Sequence, residues 1–135
     1  MENQPEVKPT IYVFLNKGLH MSIGKAAAQA GHAVAASFLE ATIEETDLWG
    51  RSIHRTMIVL EARNAEHIHN IQRYLHERGI KTRLIIDEGV NEIDPHTPTA
   101  LASKVLDKND KRVIDAFSTF DLYRDMVKVT MELEK

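Results

Sequence analysis

Apolar and polar positions change period several times along the chain, and each change marks an element. Ile11-Tyr12-Val13-Phe14-Leu15 is an unbroken apolar run of strand length, the pattern of a strand covered on both faces. After a loop through Asn16, Gly18 and His20, Ser22 stands as N-cap to an alanine-rich stretch, which predicts a helix from about Ile23 to Glu40. Its small residues, Ala26, Ala27, Ala30, Ala33 and Val34, suit close approach to a sheet. Thr42-Ile43-Glu44-Glu45 has the spacing of a capping box and predicts a second helix reaching Trp49. Thr56 to Glu61 reads as the second strand. Asn64 then caps a helix whose apolar residues Ile68, Ile71 and Leu75 share one face, with Gly79 at its end. Thr82 to Ile86 is a third strand and Thr99 to Val105 a fourth of weaker pattern. Asp110 caps a short helix carrying Val113, Ile114 and Phe117.

The C-terminal stretch fits two periods. Val127, Val129, Met131 and Leu133 alternate with Lys128, Thr130, Glu132 and Glu134 as a half-buried strand does, and Leu122, Met126, Val129 and Leu133 would equally stripe a helix. The strand is the preferred reading. Strands alternating with helices predict an α/β fold: a three-layer α/β/α sandwich around a mixed, mainly parallel four-stranded sheet, with an extra C-terminal strand as an addition. The third and fourth strands are joined without a helix, so that pair is expected to be antiparallel. The domain organisation is then a flexible N-terminal tail over residues 1–10, one domain over 11–124, and an extension over 125–135.

Composition narrows the function without naming it. At 135 residues, 43% hydrophobic and 27% charged, the chain suits one globular domain. It has no cysteine, which excludes disulfides, thiolate nucleophiles and thiolate metal sites and fits a reducing compartment. The first ten residues lack the apolar core of a signal peptide, and no apolar run approaches the roughly 20 residues that span a bilayer. A cytoplasmic location without membrane attachment follows. The net charge of −3 argues against indiscriminate binding to DNA or RNA, so any RNA partner needs a local basic surface. His67, His69 and His76 lack clustered carboxylate or histidine partners at zincin-like spacing, so no metal is expected. Trp49 reads as a packing anchor.

Chemistry is expected where the strands deliver their carboxyl ends. The first strand ends at Leu15, which brings the following loop and the first helix N-terminus to that edge. With the third strand parallel to the first, Asp87 emerges there, and an antiparallel fourth strand begins there at Thr99. Lys25, Gln29 and His32 follow i, i+4, i+7 spacing on one helical stripe about 60° wide. A cation, an amide and an imidazole beside a helix N-terminus suit an anionic or carbonyl-bearing ligand.

Met21-Ser22-Ile23-Gly24-Lys25-Ala26-Ala27-Ala28-Gln29-Ala30-Gly31-His32-Ala33 resembles the signature M-G-K-G-K-x-A-A-Q-x-x-H-A of the archaeal/eukaryotic-type (type 2) peptidyl-tRNA hydrolases. Ile85 to Leu101 resembles their second block, I-x-D-A-G-x-T-Q-x-x-P-G-T-x-T-x-L, and Val113-Ile114-Asp115 echoes their last helix. The resemblance implies a cofactor-free hydrolase of the ester joining a peptide to the tRNA 3′-ribose, usually dimeric. It places Lys25, Asp87 and Thr99 at positions implicated in catalysis, puts Gln29 and His32 in the helix signature, and implies peptidyl-tRNA or a related RNA-linked ester as partner. The candidate substrate-binding residues are Gln29 and His32 together with Asn91, Lys17 and His20 of the neighbouring loops.

Several positions depart from the pattern. Ile23 stands for the first motif lysine, Asn16-Lys17-Gly18 for an R-x-D, Asn91-Glu92 for T-Q, and His96 for the glycine after the loop proline. Ala102-Ser103-Lys104-Val105 replaces a G-I-G-P stretch. Fewer basic residues and the added Glu88, Glu92 and Asp94 weaken phosphate contacts. Two functions therefore stay open: an esterase using Lys25, Asp87 and Thr99, and a non-catalytic relative that binds RNA or a protein through the same fold.

Overall fold

The computed structural model describes residues 6–86 and 96–124. In order these form β1 (Pro9–Asn16), α1 (Ile23–Glu40), α2 (Ile43–Arg51), β2 (Thr56–Ala62), α3 (Ala65–Glu77), β3 (Thr82–Ile86), β4 (Pro98–Ser103), β5 (Leu106–Asp107) and α4 (Lys111–Phe117). The extra strand expected over Val127 to Leu133 lies outside the described residues.

The helices begin where the capping residues put them. Ser22 accepts a bond from the Lys25 N–H, Asn64 from the His67 N–H and Asp110 from the Arg112 N–H, each satisfying a donor that the helix cannot. Thr42 and Glu45 make both bonds of the capping box. Gly79, after the end of α3, takes a φ of 74°, a conformation that favours glycine.

The sheet runs β2-β1-β4-β3, with β5 pairing β1 beyond β4. β1 and β2 are parallel from Thr10↔Thr56 to Asn16↔Ala62, and β4 is antiparallel to both β1 and β3. The mixed sheet is as expected, with two corrections. β1, β2 and β3 do point the same way, but β4 lies between β1 and β3, so β1–β2 is the parallel ladder and the others are antiparallel. The fourth strand stops at Ser103 and a fifth, short one follows. At that point the Ser103 hydroxyl accepts the Tyr12 N–H at 3.0 Å and contacts the Lys104 carbonyl at 2.8 Å, so a side chain takes over from the ladder and the chain turns.

β1 begins at Pro9, within the stretch expected as a tail, and residues 6–10 make contacts of their own. Thr10 is fully buried, the Lys8 N–H donates to Asp107 Oδ1 at 3.0 Å, and Asn109 Nδ2 donates to the Glu6 carbonyl at 2.6 Å.

Strand alternation sorts β1 into two cores. Tyr12 and Phe14 face α3 and α4, among Leu60, Ile68, Ile71, Leu75 and Phe117. Ile11, Val13 and Leu15 face α1, among Ala26, Ala30, Ala33, Ala100 and Ala102. Trp49 closes the second core from α2: its ring meets Phe38 edge-on at 5.2 Å and its Nε1 donates to the Thr56 carbonyl at 2.9 Å. Helices on both faces make the three layers.

Candidate active site

The carboxyl end of β1 is fixed by one residue that the apolar pattern hid. Asn16, only 2% exposed, accepts the Gly18 N–H at 3.0 Å and donates its Nδ2 to the Pro98 carbonyl at 2.9 Å. One buried amide thus ties the end of β1, the following loop and the start of β4. The sequence signal was present as a polar residue closing an apolar run, but its partner is 82 residues away.

The loop is compact. Lys17–Leu19 forms a single 3-10 turn, and His20 closes it in a left-handed conformation with φ 51°. A Cβ on Gly18 would lie 2.8 Å from the Arg63 carbonyl, so this loop presses on the β2–α3 turn as only glycine allows. Gly18 therefore matches its own surroundings at the position where the resemblance has an acidic residue.

The short loop sets Lys25 in the first turn of α1, half-buried. A cation there stands at the positive end of the helix dipole.

Gln29 and Thr99 meet. The Thr99 hydroxyl donates to Gln29 Oε1 at 2.6 Å, with the Ile85 carbonyl at 3.4 Å as the lesser contact. Thr99 is fully buried and Gln29 is 8% exposed. Their encounter depends on a bulge. The β3–β4 ladder runs Ile85↔Ala100 and then Ile86↔Pro98, which leaves Thr99 as the extra residue. By simple alternation Thr99 would face the same side as Leu101, toward α3. The bulge turns it toward α1 instead. A hydroxyl so placed is held against Gln29 and away from solvent.

The other expected residues fare differently. His32 lies on the exposed side of α1, so the stripe of Lys25, Gln29 and His32 straddles the boundary between core and solvent. His20 is exposed on the loop. Lys17 is engaged by Glu61 of β2, Nζ to Oε2 at 3.0 Å, a partner absent from the sequence-based set. Asp87 and Asn91 lie outside the described residues. β3 nevertheless brings the chain to this edge, since Ile86 pairs with Pro98. His96, standing where the resemblance has glycine, has a φ of 73°, a left-handed position of the kind that glycine fills without strain.

Beside Lys25, on the β2 side, a cleft of about 580 Å³ opens between the loop, the start of α1 and the chain after α4. Met21, Ile23 and Tyr123 supply apolar surface to it, and Lys17, His20 and Arg124 supply polar and cationic groups. Tyr123 and Arg124 were not among the sequence-based candidates. They follow Leu122, which bridges Leu60 of β2, and this pairing could not be read from local pattern.

Comparison with known proteins gives a family for the chain as a whole. The family model described as peptidyl-tRNA hydrolase PTH2 matches residues 10–122. A peptidyl-tRNA hydrolase of Pyrobaculum aerophilum is 37% identical over 101 residues, covering 71% of this chain and 82% of the relative. One of Thermococcus onnurineus is 31% identical over 90 residues, covering 65% of this chain and 76% of the relative.

Proposed function

The chain belongs to the peptidyl-tRNA hydrolase PTH2 family, and on that premise we propose that it hydrolyses the ester joining a peptide, or a related acyl group, to the 3′-ribose of tRNA. The observation that carries this reading is the 2.6 Å bond between Gln29 and Thr99. It joins the two motif-bearing segments, α1 and the start of β4, at the edge where Lys25 stands and where β3 ends.

In this mechanism the Asp87 carboxylate takes a proton from a water whose oxygen attacks the ester carbonyl carbon. The Lys25 ammonium and the N-terminal end of α1 balance the charge that gathers on the carbonyl oxygen. As the tetrahedral adduct collapses, the bond to the ribose oxygen breaks and that oxygen takes the proton from Asp87. The products are tRNA with a free hydroxyl and a peptide acid. Thr99 acts as a positioning residue, holding Gln29 and with it the helix that carries Lys25. His20, His32, Asn91 and Lys17 complete the reading as substrate contacts, Lys17 the weakest because Glu61 already neutralises it.

The reading extends to a homodimer in the cytoplasm serving translation. Support for a second copy comes from the α1–α2 corner, where Leu39 and Ile43 are 82% and 85% exposed. No helix among the described residues is long and apolar enough to cross a membrane.

The test is turnover of peptidyl-tRNA by purified protein beside Lys25→Ala and Asp87→Ala. Losses of roughly 10²–10³-fold and 10²–10⁴-fold in kcat are expected from removing charge stabilisation and the general base. Turnover indifferent to both changes would remove these residues from the mechanism. A non-hydrolytic relative that holds RNA or a protein draws support from the Lys17–Glu61 pair, which spends a cation that could face phosphate. It predicts binding without turnover.

A further inference from the structure

The cleft beside Lys25 has a composition unlike that of an ordinary phosphate site. Its apolar wall begins with Ile23, the first residue of α1, which is 78% exposed. So large an exposed side chain contributes little to the fold, and it stands where the resemblance has a lysine. Tyr123 supplies an aromatic surface. Its backbone is pinned, because the Tyr123 N–H donates to the Val59 carbonyl at 3.0 Å and Leu122 bridges Leu60. The side chain itself is partly buried against the α1-side core, so its ring loses little freedom when something stacks on it. Arg124 adds a cation at the same rim. The volume, about 580 Å³, falls within the range of small-ligand sites. Ser22 and Ala26, which also line the cleft, bracket Lys25 in the first turns of α1.

An apolar and aromatic wall with a cationic rim fits a flat base attached to a phosphate. We propose that this cleft receives the 3′-terminal nucleoside of the RNA limb, with its base against Ile23 and Tyr123 and the adjoining phosphate toward Arg124. The inference rests on the ester hydrolase reading above. It assigns the recognition of the RNA end to stacking and apolar contact at the position where a lysine would have contributed charge. Binding should then depend less steeply on salt than in an Ile23→Lys variant.

The experiment compares two substrates and one competitor. The substrates are peptidyl-tRNA and an N-acyl amino acid ethyl ester that lacks a nucleoside; the competitor is the trinucleotide CpCpA, the sequence that ends tRNA. Loss of one stacking partner is expected to lower the kcat/KM ratio of peptidyl-tRNA to ethyl ester by about 10-fold or more in Tyr123→Ala. Tyr123→Phe should retain the ratio, and CpCpA should inhibit the wild type more strongly than Tyr123→Ala. Ile23→Asp, a change at an exposed helix position, should lower the ratio as well and covers the case in which Tyr123→Ala fails to fold. An unchanged ratio in both variants, with CpCpA inhibiting none of them differently, would overturn the assignment while leaving the hydrolase intact. An equal loss on both substrates would also overturn it, because the cleft would then hold the acyl side. Should the wild type turn over neither substrate yet bind CpCpA in a Tyr123-dependent way, the hydrolase reading fails and the cleft assignment stands.

Discussion

The two faces of the sheet are built from different materials. Against α3 and α4 the core is large and aromatic: Tyr12 stacks on Phe117 with ring centroids 3.9 Å apart, and Phe14 meets Phe120 edge-on at 4.9 Å. Against α1 the helix and β4 contribute alanine, from Ala26, Ala30 and Ala33 to Ala100 and Ala102, beside Ile11, Val13 and Leu15 of β1. Small side chains let a helix lie close to a sheet, and closeness makes short polar bonds across the interface feasible. Two are present there: Thr99 to Gln29 at 2.6 Å, and the Ser37 hydroxyl to the Ser103 carbonyl at 2.9 Å. They hold β4 to α1 near both of its ends. The aromatic face gains stability from buried area, which is tolerant of small displacements. The alanine face gains register from directional bonds, which are not, and it is the face that carries Lys25.

The contrast can be broken most forcefully on the aromatic side. Phe14→Ala removes a fully buried ring from the centre of that core, and the loss of stability is expected to be about 3–5 kcal/mol. Urea denaturation measures it. Activity per folded molecule should be largely kept, since Phe14 faces away from α1. A variant of near-native stability would show that the aromatic face is not the main source of cohesion.

A smaller stability effect with a larger functional one is expected from the alanine face. Thr99→Val keeps the volume but leaves the Gln29 carboxamide buried without its partner, at a cost of about 1–3 kcal/mol. Pairing it with Gln29→Leu removes both polar groups, and part of that loss should return without recovery of turnover. A double-mutant cycle reports the coupling directly. Additive stabilities, or a double variant with restored turnover, would reduce the Gln29–Thr99 bond to a neutral feature of the core.

This division was only partly visible in the chain. Helix starts were legible because Ser22, Thr42, Asn64 and Asp110 act on N–H groups two or three residues away. The two-sided burial of β1 was legible because its run has no polar interruption. The strand order was not, since β4 enters between β1 and β3 through distant pairings with β1, such as Leu15 with Ala100. Thr99 shows the limit most clearly. Period-two alternation puts it on the α3 side, and only the bulge opposite Ile86 turns it toward Gln29. Asn16 reads by pattern as a loop residue, although its buried amide holds that loop. Glu61, Tyr123 and Arg124 owe their places to strand pairing and chain return, which carry no local signature.

Among the described residues the aromatic side carries a bond that titrates near neutral pH, and this sets a last difference between the faces. The neutral groups linking α1 to β4 do not change charge near neutral pH, whereas His67 at the start of α3 does. Its Nδ1 accepts the Arg63 N–H at 2.9 Å, so only the neutral ring can make the bond. Burial lowers its pKa below the ordinary 6.5, and the nearby Arg63 charge lowers it further. Between the two values the unfolded chain binds more protons than the folded one, so stability rises with pH across that window. The contribution is present above 6.5 and is lost as pH falls from there through the lowered folded value. His67→Gln supplies an acceptor that does not titrate. Its urea midpoint, relative to wild type, should therefore improve as pH drops from 8 to 5. The difference should stay under about 1 kcal/mol, the scale of an exposed bond at a helix end. Amide exchange should sharpen the assignment, with the first turn of α3 losing protection in acid while the centre of α1 keeps its own. Equal acid sensitivity of the two helices in both proteins would mean that the titrating contact lies elsewhere and that the faces do not differ in this respect.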